Sequence, residues 1–213
     1  MTLDLDIVCA SHRRQVLHDN LLRSPEIKDG PFKAMHIMTG FDNVAKAYNA
    51  ASHSDSKYVL YCHEDVYLPA GFFKVLEGQL KIVDPDFGVL GVAGVKLVKG
   101  QRHFSGFISD RGKPWGSQFD LPKEVDTLDE LLIITKGDYR FDENLPNDFY
   151  AADVCMQAKT RGKKNYAINA YCEHNSSRPF GGRTDSFFEA REYFKKKYQA
   201  WLPVGTTCTV IEK

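Results

Sequence analysis

The feature that most constrains this chain is a short strand of buried type that stops on ionisable groups. Tyr58 to Cys62 (Tyr-Val-Leu-Tyr-Cys) is β-branched, aromatic or apolar throughout, the pattern of a strand covered on both faces. It ends in His63-Glu64-Asp65 and leads to Pro69, read as a first-turn residue of a helix. Phe72, Val75, Leu76, Gln79, Leu80 and Val83 follow at helical spacing. A buried strand that delivers acids to its carboxyl end and runs on into a helix is where α/β proteins place ligand chemistry.

The flanking elements follow from the same reasoning. Leu5 to Ala10 reads as a first strand, ending in the polar turn Ser11-His12-Arg13-Arg14. That turn suits a nucleotide site, with Ser11 and backbone amides facing the ligand, or an ordinary solvated strand end. Asn20 to Phe32, with Pro25, Gly30 and Pro31, reads as loop, and Ala34 to Thr39 as a second strand. Gly40-Phe-Asp-Asn43 opens a helix capped by Asp42 or Asn43, with Val44, Ala47, Tyr48 and Ala51 on its apolar face. Phe87 to Leu97 is expected as one glycine-containing strand, residues 98–122 as a long irregular stretch, and Val125 to Thr135 as another strand. Phe141 to Phe149 is expected as loop, followed by a helix from Tyr150 to Arg161 that Gly162 stops. Lys164 to Ala170 is then the last strand, delivering Glu173 and His174. Ser186-Phe-Phe-Glu189 fits a capping box for a final helix buried through Phe187, Ala190, Phe194, Tyr198 and Trp201. This order predicts an α/β fold with a mainly parallel central sheet flanked by helices.

Composition narrows the class. At 213 residues the chain suits one large domain or a domain with a small appendage, and a chain of this size hides about 70% of its unfolded surface. Lys+Arg and Asp+Glu are both 28, a balance that speaks against a dedicated nucleic-acid binder. No apolar run approaches the ~20 residues of a membrane span, and the start, Met1-Thr-Leu-Asp-Leu-Asp, lacks the features of a signal peptide. Five cysteines without metal-type spacing read as free thiols of a reducing compartment. The expectation is a cytoplasmic protein, with membrane contact at most peripheral.

The candidate chemistry gathers at strand ends. Asp65 and His63 project to one side of an extended chain and Glu64 to the other. One carboxylate and one imidazole, with substrate phosphates, suffice for a cation such as Mg²⁺ or Mn²⁺, although the same three residues also suit a solvated strand end. His174 follows a later strand and is expected to meet Asp65 on the shared edge of a parallel sheet; nearby Cys172 reads as a buried thiol. Asp148 and Asp153 flank the helix start, as dipole-stabilised carboxylates or as a general base. Arg178 and Arg183 form either a diphosphate clamp or an exposed basic loop. Phe104, Phe107, Trp115 and Phe119 stack on a sugar or serve as satellite core.

Several segments, taken in order, resemble the nucleotide-sugar glycosyltransferases of the GT-A fold, especially the family-two type and its small bacterial members. Asn43-Val-Ala-Lys-Ala-Tyr-Asn49 with Lys57 through Pro69 is similar to that family's helix, strand and D-x-D segment. Gly88 to Gly94 resembles the following strand, and Val125 to Glu130 with Phe141-Asp-Glu143 resembles the acceptor-side segment. Phe149 to Ala158 with Gly162 is similar to the acidic helix, and Glu173-His174-Asn-Ser looks like the late histidine segment. The resemblance implies a single GT-A domain, its nucleotide-sugar half about residues 1–97 and its acceptor half about 98–205. It implies an enzyme that moves a sugar from a nucleotide-diphosphate sugar to a glycan, lipid-linked or protein acceptor, with inversion and with Mn²⁺ or Mg²⁺. Asp65 is then the metal ligand, His63 stands at the first D-x-D aspartate, and His174 is the late metal- or phosphate-contacting histidine. Ala10, Ser11, Asn43, Lys46, Asn49, His63, Glu64, Arg178 and Arg183 fall to the donor site. Two departures matter: His63 replaces the first D-x-D carboxylate, and where the family carries its base, two residues before Asp153, this chain has Ala151. The base is then Asp153, Asp148 or Asp129, or the chain binds sugar nucleotides with little catalysis. Nucleotidyl transfer on a related fold ranks lower, because a glycine-rich N-terminal pyrophosphate loop is lacking.

Overall fold

The computed structural model describes residues 2–51, 55–136, 139–176 and 183–213. The chain begins with β1 (Leu5–Ala10), α1 (Arg14–Asp19), α2 (Pro25–Lys28), β2 (Ala34–Met38) and α3 (Val44–Ala50). Next come β3 (Tyr58–His63), β4 (Val66–Tyr67), α4 (Phe72–Ile82), β5 (Leu90–Gly91) and β6 (Ala93–Val98). These are followed by β7 (Gln101–Asp110), β8 (Lys113–Gly116), β9 (Lys123–Val125), β10 (Thr127–Leu128) and β11 (Leu132–Thr135). The last part holds α5 (Tyr150–Thr160), β12 (Asn165–Ala167), β13 (Cys172–His174), α6 (Asp185–Lys197), β14 (Val204–Gly205) and β15 (Val210–Ile211).

The central sheet has the order β2-β1-β3-β11-β5-β12-β9, and a second sheet runs β10-β6-β7-β13-β4 with β8 on the flank of β7. β3 lies between β1, which is parallel to it, and β11, which is antiparallel, so it is apolar on both faces as its sequence requires. Alternate side chains of these strands enter two cores. Val8, Tyr61 and Ile133 meet Tyr48 of α3, Val154 of α5 and Phe194 of α6. Ile7, Leu60 and Ile134 meet Leu17 of α1, Ile27 of α2 and Leu76 of α4. The class is α/β as expected; the sheet is parallel across β2, β1 and β3 and becomes mixed where β11 inserts.

Several element boundaries differ from the sequence expectation, for physical reasons. Residues 98–122 are largely strand: β6, β7 and β8 form consecutive hairpins through two-residue turns at Lys99-Gly100 and Arg111-Gly112. Both residues of each turn have positive φ, the requirement of a turn that matches strand twist. The single strand expected over Phe87 to Leu97 divides at Val92 into β5 of one sheet and β6 of the other. Likewise Val125 to Thr135 contributes to β9, β10 and β11, and Lys164 to Ala170 yields only β12, with His174 carried inside a separate strand, β13. Asn20 to Phe32 contains α2, and α1 precedes it. Pro69 stands before the start of α4, whose N-cap is Gly71, and Thr184 rather than Ser186 is the N-cap of α6, without a capping-box hydrogen bond. Asn43 caps α3 by accepting from Lys46 N at 3.1 Å, and Gly162, at φ 76°, ends α5 as expected.

α5 and α6 are pinned together through Asp153, which is fully buried. Its carboxylate accepts from Lys197 Nζ at 2.6 Å, Tyr198 Oη at 2.7 Å and Gln157 Nε2 at 2.8 Å. Removing one partner of such a buried pair strands the other, at a cost of about 3–5 kcal/mol. Asp153→Ala is therefore expected to lower unfolding stability by about that amount in urea titrations, with a smaller loss for Asp153→Asn. A neutral Asp153→Ala would show that this contact is not a structural anchor.

Candidate active site

The turn between β3 and β4 carries Glu64 and Asp65. Its position is fixed from both sides: His63 N donates to Leu131 O at 3.0 Å, and Asn175 N donates to Asp65 O at 2.8 Å. β13 pairs antiparallel with β4, setting His174 against Val66. This pairing, rather than the common edge of one parallel sheet, brings His174 to Asp65. His174 Nε2 lies 3.4 Å and His63 Nδ1 3.8 Å from Asp65 Oδ1. One ligand atom from each of His63, Asp65 and His174 lies within 4.8 Å of the others. Asp65 Oδ1 is enclosed and receives no hydrogen bond. Two imidazoles and a carboxylate around an orphaned oxygen fit a divalent first-row cation, whose ligands stand about 3–4 Å apart when bonds are ~2.1 Å. Burial works against ionisation of Asp65, but His174, His63 and Arg13 together hold its carboxyl well below the usual carboxylate range. His174 is shifted upward: burial lowers it, and Asp65 more than reverses that.

Glu64 points the other way and locks the loop after β1. It accepts from Ser11 Oγ at 2.6 Å, from Arg13 Nε at 2.7 Å, and from the backbone N–H groups of His12 and Arg13 at 3.2 and 3.0 Å. Burial again opposes ionisation, and the bonds from Ser11 and Arg13 lower its pKa regardless. Arg13 also reaches Asp65 Oδ2 at 3.3 Å through Nη2, so one guanidinium spans both acids. The sequence reading of Ser11 as a ligand-facing hydroxyl is corrected here: it is buried against Glu64. Arg13 was not singled out, since only the fold shows that it returns to the β3–β4 turn. Ala10 closes β1 directly opposite His63.

A second group of acids lies on the segment leading into β11 and before α5. Asp129 accepts from Leu131 N at 3.1 Å and from Thr207 Oγ1 at 2.6 Å. Glu130 and Asp148 line a small pocket with Phe149, Phe187, Thr206 and Thr207. Burial, reinforced by the like charges of Asp129 and Asp148, pushes the Glu130 carboxyl up to about 8. Glu130 was missed as a site residue; an acid beside Asp129 carries no signal of its own until the chain folds Asp148 against it. Tyr150 connects the two groups, with its Oη 2.7 Å from His63 Nε2 and donating to Glu130 O at 3.3 Å.

The remaining candidates are used elsewhere. Asn43 Nδ2 donates to Glu143 O at 2.8 Å, and Asn49 Nδ2 to Phe141 O at 2.9 Å, so both tie α3 to the loop before α5. Lys46 forms an exposed ion pair with Asp42 at 3.2 Å. Arg183 donates to Cys208 O at 2.8 Å and lies over the Phe187 ring. Arg178 lies outside the described residues. Asp153, offered above as a base, is held in the α5–α6 interface with its oxygens engaged, and Ala151 is fully buried.

Comparison with known proteins assigns the class. The glycosyltransferase-like family matches residues 20–198, and the chain belongs to it. Its fold is that of the GT-A glycosyltransferases. A mannosyltransferase from Pyrobaculum calidifontis, solved in complex with GDP-Man and Mn²⁺, superposes with TM-score 0.53 at 10% identity, covering 96% of this chain and 66% of its own. S. aureus TarS 1-349, solved in complex with UDP-GlcNAc, gives TM-score 0.55 at 11% identity, covering 92% and 66%. A Fuscovulum blasticum protein described as ATP synthase subunits region ORF 6 is 27% identical over 92% of this chain and 84% of its own length.

The raised Glu130 carboxyl has a consequence for stability. The folded state keeps a proton that the unfolded chain, with a carboxyl near 4.3, releases. Stability from this group therefore falls as pH rises from there toward about 8. Glu130→Gln removes the penalty, so its thermal midpoint relative to wild type is expected to rise between pH 5 and pH 8. A pH-independent difference would contradict the burial and charge assigned to Glu130.

Proposed function

We propose that this protein transfers a sugar from a nucleotide-diphosphate sugar to an acceptor hydroxyl, with inversion, at the His63–Asp65–His174 group. The convergence of these three side chains within 4.8 Å is the observation that carries the reading. It is supported by membership of the glycosyltransferase-like family and by GT-A neighbours solved with nucleotide sugars, one of them with Mn²⁺. Residues about 1–97 make the donor half and about 98–205 the acceptor half, with His174 crossing to join Asp65.

Asp65, His63 and His174 would hold the cation. Two imidazoles beside one carboxylate suit Mn²⁺ better than Mg²⁺, which favours an all-oxygen shell. A divalent ion there supplies positive charge where the departing diphosphate gathers negative charge. Arg13, half-buried against Asp65, adds a fixed cation beside the same position. On the acceptor side the ionised form of Glu130, which grows as pH rises toward about 8, accepts the hydroxyl proton, with Asp148 in the same pocket. The hydroxyl oxygen attacks the anomeric carbon, and the bond from that carbon to the phosphate oxygen breaks on the opposite face. Asp129, engaged by Thr207, orients this acidic segment. The acceptor is a glycan, a lipid-linked sugar or a protein; among the described residues no helix is long and apolar enough to cross a membrane.

The buried Ala151 favours a second reading, a sugar-nucleotide-binding protein with little catalysis. A thermal-shift screen of GDP- and UDP-sugars with Mn²⁺, with Mg²⁺ and without metal tests both, because a ligand that binds the folded state raises its midpoint. A rise requiring Mn²⁺, lost in Asp65→Ala together with at least about 100-fold of turnover, is expected. Wild-type turnover in Asp65→Ala would sink the assignment. Binding without hydrolysis or transfer across an acceptor panel would favour the second reading. Pyrophosphate release from a sugar phosphate and a nucleoside triphosphate would reveal nucleotidyl transfer instead.

A further inference from the structure

The two imidazoles beside Asp65 are each gripped at the ring nitrogen that faces away from it. His174 turns Nε2 toward Asp65 Oδ1 and Nδ1 toward Asp110 Oδ1, both at 3.4 Å. Asp110 is the register partner of His174 in the parallel β7–β13 pairing. The turn after β7 is tied to the same strand, Arg111 N donating to His174 O at 2.9 Å. Asp110 Oδ1 is enclosed and receives no hydrogen bond, whereas Arg111 Nη2 stands 3.3 Å from Oδ2. If His174 Nε2 is to offer a lone pair to a cation beside Asp65, the ring proton stands on Nδ1, facing Asp110 Oδ1.

His63 is arranged in the opposite sense. Its Nε2 lies 2.7 Å from Tyr150 Oη, and that hydroxyl donates to Glu130 O at 3.3 Å. A carbonyl oxygen only accepts, so when the Tyr150 proton is given to Glu130 O the hydroxyl accepts from His63 Nε2. The ring proton then sits on Nε2, and Nδ1 presents a lone pair toward Asp65, 3.8 Å away.

We infer that Asp110 and Tyr150 are positioning residues that fix opposite tautomers, Nδ1–H in His174 and Nε2–H in His63, so that both ring lone pairs converge beside Asp65. The inference, the choice of tautomer at His174 included, rests on the proposed reading of the site, since Asp65 and Asp110 stand equally far from its two ring nitrogens. A ligating histidine held through its other nitrogen is oriented and made more basic, and loss of such a partner typically costs 10–100-fold in metal affinity. Neither residue was legible as part of the site in the sequence, because Asp110 and Tyr150 reach it only through β7–β13 pairing and the start of α5.

The test is nitrogen-resolved NMR of the imidazoles in metal-free protein in mildly alkaline buffer, alongside Mn²⁺ titration followed by electron paramagnetic resonance. Wild type is expected to show the two tautomers as assigned. Asp110→Ala should mix the tautomers of His174 alone, and Tyr150→Phe those of His63 alone. Each should weaken Mn²⁺ binding about 10–100-fold. Asp110→Asn keeps an acceptor oxygen and should restore the His174 tautomer, which a loss of folding could not mimic. Unchanged ring spectra in both Asp110→Ala and Tyr150→Phe overturn the inference. Fixed tautomers that respond to substitution, in a wild-type protein that binds no Mn²⁺, would uphold the positioning role and defeat the metal reading instead.

Discussion

A carboxylate withdrawn from water has to be met by positive charge or hydrogen-bond donors, and the organisation of this protein around Asp65 follows from that demand. Breaking a buried pair by removing one partner costs about 3–5 kcal/mol, so the groups facing Asp65 cannot be placed loosely. They come from three separate parts of the chain: Arg13 from the loop after β1, His63 from the end of β3, and His174 from β13. Glu64 shares the same guanidinium and fixes it through Ser11 and two backbone N–H groups. The acids of the β3–β4 turn therefore do opposite jobs. Glu64 consumes its donors and is structural; Asp65 keeps one oxygen without a hydrogen bond and is available.

That convergence needs two sheets rather than one. β3 ends in the central sheet, and the next strand, β4, belongs to the second sheet, where β13 meets it. The chain also changes sheet between β5 and β6, and the backbones at that crossing come very close. A Cβ on Gly94 would stand 2.7 Å from Thr127 O, and one on Gly91 would stand 3.0 Å from Leu132 O. Glycine is what permits β10 and β11 to lie against this crossing, and with them the acidic segment at Asp129 and Glu130.

Local pattern was enough for β1, β3, α3 and α5, because buried apolar runs, the Asn43 cap and the Gly162 stop are written within a few residues of one another. It failed between 98 and 122, where the hairpin turns use Lys99 and Arg111 at φ 50° ahead of glycine, in positions usually marked by Asn, Asp or Gly. It also joined neighbouring short strands into single long ones, since nothing in an apolar run states which sheet each half enters. At the site, His63, Asp65 and His174 were visible from their places at predicted strand ends. Arg13, Asp110, Tyr150 and Glu130 were not, because their roles depend on pairings between separate parts of the chain that no local spacing encodes.

The start of α5 shows how such a rearrangement affects chemistry. In the family resembled, the base belongs to this helix; here Tyr150 through Asp153 are all buried. Tyr150 is taken up by His63, and Asp153 by Lys197 and Tyr198, so neither is free to meet an acceptor. Acid next to the helix start is supplied instead by Asp148 and, from across the pocket, by Glu130. Burial, with the like charges of Asp129 and Asp148 added to it, keeps a proton on Glu130. A carboxyl held near neutrality in this way both accepts and releases a proton with little driving force wasted. Under the proposed function, the acceptor hydroxyl is then approached from the side of Glu130 and the C-terminal Thr206-Thr207 turn, while the helix that would ordinarily carry the base is left to hold the histidine in place.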